Sequence, residues 1–144
     1  MKAIMFKNWR KSGKEESNFD VFVVSDDASI PSLIQELLTP EGCIVHSAAT
    51  TQEAMQMLDD MELPDVLIGD FRNPAVDGKA YLDVARTRFG KSALPPVLFL
   101  MDSADDEAAA HDLHIDDVLA KPFDGPALLA CISELVKASA SPNP

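Results

Sequence analysis

Four charged side chains in this 144-residue sequence stand where short apolar runs end. Asp26 and Asp27 close VFVVSDD, Asp70 closes DVLIGD, and Lys121 follows DDVLA. A short apolar run that stops on a carboxylate reads as a buried strand presenting that acid at its carboxyl end. Carboxylates gathered in one crevice repel: at about 4 Å and an effective dielectric of 20, each pair costs about 4 kcal/mol. Protons or a cation must neutralise such a cluster. Lys121 supplies one positive charge and a hard divalent ion the rest, and all-oxygen ligation with few carboxylates suits Mg2+. Asp26, Asp27 and Asp70 with one ammonium and one divalent ion sum to zero charge. Such a site is suited to receive a phosphoryl group by in-line transfer, with Asp70 as the carboxylate nucleophile.

The elements that must position these groups follow from periodicity. Strands are predicted at 21–27, 43–48, 65–70, 96–102 and within 116–123. Between them, Ile30, Leu33, Ile34, Leu37 and Leu38 have helical spacing, with Ser29 as the cap and Gly42 past the end. Thr50 and Glu53 form a capping box opening a second helix. A third helix spans Lys79 to Phe89, behind a loop with Pro74 and an Asp77-Gly78 turn. An acidic helix lies around Asp105 to His114, and Asp124 caps the last helix. Five buried strands alternating with five helices imply an α/β fold, one parallel sheet covered on both faces. Right-handed crossovers winding outward from strand one give the order 2-1-3-4-5, with a crevice between strands one and three. The acids and the lysine then share one sheet edge. Singly, each would read as a cap, a turn former or a solvated lysine; their coincidence marks a site.

Length and composition bound the alternatives. One domain with a full core fits in 144 residues, and no apolar run reaches the length of a membrane span. The start, MKAIMFKNWRK, lacks the pattern of a secretory signal. Cys43 and Cys131, far apart in apolar contexts, read as reduced thiols of a cytoplasmic protein. The net charge of −12 is uneven: residues 1–18 carry five basic residues and two acids, leaving a net of −15 in 19–144. A body that acidic repels nucleic-acid backbones. We divide the chain into an N-terminal extension (1–18), basic and either amphipathic or solvated, a domain (19–138) and a polar tail (139–144). His111-x-x-His114 reads as two surface residues, and His46 has no evident partner.

Asp26-Asp27, then Asp70 with Pro74 and Gly78 behind it, then Pro96, then Lys121-Pro122-Phe123 occur in an order and spacing that resemble the receiver domain of two-component response regulators. The resemblance spans about residues 19–138 and implies a flavodoxin-like fold. It also implies that Asp70 accepts a phosphoryl group from a histidine kinase or phosphotransfer protein, the domain promoting only its own phosphorylation and dephosphorylation. Asp27, Asp70 and the backbone carbonyl of Arg72 would ligate Mg2+, Asp26 acting through water, and Lys121 would contact the acyl phosphate. The Lys121–Pro122 bond would be cis. Output would pass to a downstream protein target, and helices four and five or the N-terminal arm would serve any homodimer.

Two positions depart from that pattern. Strand four of a receiver normally ends in Ser or Thr; here Met101 stands there and cannot donate a hydrogen bond. Ser103, two residues on, would reach in only if the loop curls. The second switch position, usually aromatic, is Val118. The groups for accepting phosphate are present while those for transmitting it are altered, so a pseudo-receiver that signals without phosphorylation stands as the alternative. The segment from Met101 to Lys121 is shorter than usual, which predicts an abbreviated or irregular helix four. A haloacid-dehalogenase-like phosphatase needs an Asp where Arg72 stands, and the acidic DDASIPS loop is unsuited to cradling a cofactor phosphate.

Overall fold

A computed structural model of the chain describes residues 18–90 and 93–140. The basic extension before residue 18 and the last four residues lie outside the described residues. Five parallel strands run β1 (Asp20–Ser25), β2 (Ile44–Ala48), β3 (Val66–Asp70), β4 (Val97–Met101) and β5 (Asp117–Ala120), in the order β2-β1-β3-β4-β5. The helices are α1 (Ser29–Leu38), α2 (Thr51–Asp59), α3 (Lys79–Phe89), α4 (Ala104–Asp112) and α5 (Gly125–Ala140). The expected topology is the observed one.

Alternation along the central strands divides the core in two. Val21, Val23, Ile68, Leu98 and Leu100 face α1 and α5, meeting Ile34, Leu38, Leu128 and Ile132. Phe22, Val24, Leu67, Phe99 and Met101 face the other helices, meeting Met55, Tyr81, Leu82 and Ala110. β1, β3 and β4 are buried almost throughout, as strands covered on both faces must be. The expectation of five buried strands fails at the edges: most of β2 and β5 is partly or fully exposed, because each has a neighbour on one side only. His46 on β2 finds its partner across the pair, its ring stacked 6.4 Å from Phe22.

Carboxylates also hold the amino ends of the strands. The backbone N–H of Asp20 donates to Asp65 at 2.8 Å, and that of Val97 to Asp116 at 2.7 Å. Thr50 accepts from the N–H of Glu53, while the Glu53 carboxylate accepts from Ala49. Asp124 accepts from the N–H of Ala127 at the start of α5. Ser29 is not the cap of α1 but lies inside its first turn, and Asp27 accepts from it instead. The Asp77-Gly78 turn signal is part of a wide π-type turn, Pro74–Gly78, that runs directly into α3. α4 spans nine residues and is helical throughout. Cys43 is buried and Cys131 half-buried; they are not joined in a disulfide, and burial pushes both upward in pKa.

Tyr81 tests the packing. Its side chain is fully buried, yet its hydroxyl has no hydrogen-bond partner among the described residues, and desolvation raises its pKa. A buried unpaired hydroxyl is a net cost. Tyr81→Phe is therefore expected to stabilise the domain by about 1 kcal/mol. Thermal denaturation of the two proteins checks this, and a loss of stability would show that the hydroxyl is satisfied in solution.

Candidate functional site

Strand register brings the predicted residues to one edge. β1 pairs with β3 so that Ser25 stands opposite Asp70, and β4 pairs with β5 so that Met101 stands opposite Ala120. The N–H of Lys121 donates to the carbonyl of Met101 at 2.9 Å, which anchors the residue that leaves β5. The Lys121–Pro122 peptide is cis.

Asp70 closes β3 and is only 7% exposed. Its Oδ1 lies 2.6 Å from Lys121 Nζ, and its Oδ2 accepts from the Ser25 hydroxyl at 2.8 Å. Ser25 Oγ in turn accepts from the N–H of Asp27 at 3.0 Å, so one hydroxyl ties the acid of β3 to the loop leaving β1. Burial works against the Lys121 ammonium, but the hydrogen bond and charge of Asp70, with Asp102 behind them, outweigh it and hold its pKa above the ordinary lysine value. Asp102 Oδ1 is 3.5 Å from the same Nζ.

Asp26 and Asp70 line one cavity of about 290 Å³ with Ser25, Arg72 and Asp77. Asp27 is turned differently. Its Oδ1 accepts from both the hydroxyl (2.7 Å) and the N–H (3.0 Å) of Ser29. Those bonds, the side-chain one first, lower its pKa, with smaller help from the charges of Lys121 and Arg72. The expectation that three carboxylates converge on one point is thus corrected: among the described residues no three acidic, His or Cys side chains come together closely enough to hold a metal. Asp70 takes Lys121 and Ser25 while Asp27 takes Ser29, so these two acids are held by separate donors, which is how like charges minimise repulsion. The donor chemistry still suits Mg2+, an ion that takes one or two carboxylates and keeps several waters. Asp27 would have to release Ser29 to join such a set.

The switch positions are filled by apolar packing. Met101 is 3% exposed and packs in the core beneath α3 and α4, with half-buried Val118 against the same cluster. Ser103 does not reach towards Asp70: its hydroxyl caps α4, accepting from the N–H of Asp106 at 3.3 Å. His111 and His114 are exposed; His111 lies 3.6 Å from Glu107 one turn back on α4. Sequence reasoning missed Ser25 and Asp102. Ser25 is silent because a serine inside an apolar run carries no signal until register sets it against Asp70. Asp102 was legible only as a polar residue after a strand.

Comparison with known proteins agrees with this geometry. Residues 21–133 match the family described as the response regulator receiver domain. The chain is 31% identical over 118 residues to the DNA-binding transcriptional regulator NtrC of Proteus hauseri, covering 81% of this chain and 24% of that one. It is 33% identical over 119 residues to the response regulator MprA of Mycobacterium tuberculosis, covering 81% of this chain and 50% of that one. It thus spans a quarter to a half of these relatives. A crystal structure of a putative response regulator from Chloroflexus aurantiacus superposes with a TM-score of 0.70 at 29% identity, covering 83% of this chain and 98% of that one. No helix among the described residues is long and apolar enough to cross a membrane. With its sheet order, its acid-lysine pair and its relatives in agreement, the chain belongs to the family of response regulator receiver domains.

Proposed function

We propose that this domain is a phosphoacceptor in a two-component relay, taking a phosphoryl group from the phosphohistidine of a partner kinase or phosphotransfer protein onto Asp70. The observation that carries the reading is the pairing of a buried strand-end carboxylate with an ammonium at 2.6 Å beside an acidic cavity. An Asp70 oxygen attacks phosphorus, the phosphorus–nitrogen bond breaks, and histidine leaves as the new acyl phosphate forms. Lys121 shares the charge that spreads over the phosphoryl oxygens. Ser25 fixes the rotamer of the nucleophile. Asp26, Asp70 and the carbonyl of Arg72 would hold Mg2+, with Asp27 joining only on releasing Ser29, and the ion would supply charge neutralisation there. Output passes to a protein partner, since a body of net charge −15 repels nucleic acid. Two cysteines not joined in a disulfide suit a reducing, cytoplasmic setting.

The pseudo-receiver reading is favoured by one observation, the apolar packing of Met101 and Val118 where a hydroxyl and an aromatic would transmit the signal. Incubation with a small phosphodonor and Mg2+ separates the two. The phosphoacceptor reading expects an acid-labile mass gain of one phosphoryl group that Asp70→Asn abolishes. No gain with any donor would leave the pseudo-receiver.

A further inference from the structure

Lys121 is shared. Its Nζ stands between Asp70 Oδ1 at 2.6 Å and Asp102 Oδ1 at 3.5 Å. Asp102 adds a fourth acid to the three that the sequence sets against Lys121 and a divalent cation, so that this set of groups sums to −1 rather than zero. A phosphoryl group on Asp70 would bring further negative charge to the same ammonium, and Asp102 would then face it with no cation of its own.

Asp102 is also tied to the start of α4. Its backbone N–H donates to Asp106 Oδ2 at 3.3 Å, and the N–H of Asp106 donates to the capping hydroxyl of Ser103. The carboxylate that shares Lys121 and the frame that opens α4 therefore belong to adjacent bonds of one chain segment. Its side chain is 65% exposed, so nothing packed over it blocks outward movement. Met101, one residue earlier, is buried among apolar groups and has no polar atom able to donate to a phosphoryl oxygen.

We propose that Asp102 transmits phosphorylation in this chain, yielding Lys121 to the phosphoryl group and being driven outward by like-charge repulsion, which loosens the start of α4. The inference rests on reading Asp70 as the phosphoacceptor and concerns how that site reports its state. A strand-end hydroxyl would sense phosphate by attraction; here a carboxylate senses it by repulsion. It follows that Asp102 opposes phosphorylation. Discounted for solvent screening at so exposed a residue, its removal should favour the phosphorylated state about three- to tenfold.

The test uses the full chain, Mg2+ and beryllofluoride as the phosphoryl mimic, comparing the natural protein with Asp102→Asn. Binding is measured by titration, and amide exchange is followed at Asp102, Asp106 and Glu107. We expect the mimic to speed exchange at these amides in the natural protein. Asp102→Asn should bind it three- to tenfold more tightly, with the exchange response largely lost. Equal affinity with an unchanged response in the variant would overturn the inference alone, as would mimic binding to the natural protein without any response at these amides. If the natural protein neither binds the mimic nor takes label from a phosphodonor, the phosphoacceptor reading fails, and this inference fails with it.

Discussion

Lys121→Ala is expected to slow labelling of Asp70 by a small phosphodonor about 100- to 1000-fold, the loss typical of removing one preorganised charge from a transition state. The size follows from geometry: Nζ lies 2.6 Å from the buried Asp70 carboxylate on a half-buried side chain, so water replaces it poorly. The same substitution should tighten Mg2+ binding, because Asp70 then loses the ammonium that neutralises it. The opposite directions of these two effects distinguish loss of a charge from simple unfolding, which would weaken both. Labelling kinetics and calorimetric titration read them separately. A decline smaller than tenfold would show that another group neutralises the phosphoryl oxygens.

The second large effect is on folding. The ring of Phe99, fully buried in β4, lies between two glycines, one in β3 and one in the turn before α3. A Cβ on Gly69 would fall 2.5 Å from Phe71 Cε2 and 2.9 Å from Phe99 Cε1, and one on Gly78 would fall 2.8 Å from Phe99 Cε2. Phe71 is half-buried and can swing aside. Phe99 cannot, because it is fully buried and core residues enclose it. Gly69→Ala should therefore destabilise the domain by about 1–3 kcal/mol, the usual cost of overpacking. Phe99→Leu introduced alongside should recover part of that loss, giving a non-additive pair in urea denaturation. A neutral Gly69→Ala would mean that the ring has room to move. The packing also bears on the site, since the segment between Asp70 and Gly78 carries Arg72 and is held down at its far end by this ring.

Much of the fold was legible because its strands are short apolar runs closed by polar residues. VLIGD and VLFLM are apolar on both faces, which in a chain of this length means a parallel sheet between helix layers. The edges were not, since CIVHSA carries nearly the same apolar signature as a central strand. Only topology shows that β2 has one neighbour. The cap of α1 was misread because Ser29 and Asp27 are both good cap residues, and side-chain reach, not residue type, decides which one acts. The shortness of the segment from Met101 to Lys121 suggested an abbreviated or irregular helix, yet Ser103 and Asp106 open a regular one of nine residues.

By itself the order of residues determined that Asp70 and Lys121 would meet, since strand ends and right-handed crossovers leave them a single shared edge. Tertiary structure decided how each oxygen is used. Ser25 lies 45 residues from the acid it donates to, and Asp102 approaches Lys121 only because β4 and β5 pair in a particular register. Contacts of that kind arise from cross-strand alignment and rotamer choice at distances no local pattern encodes. Elements were therefore readable from spacing, while the distribution of charge within the site was not.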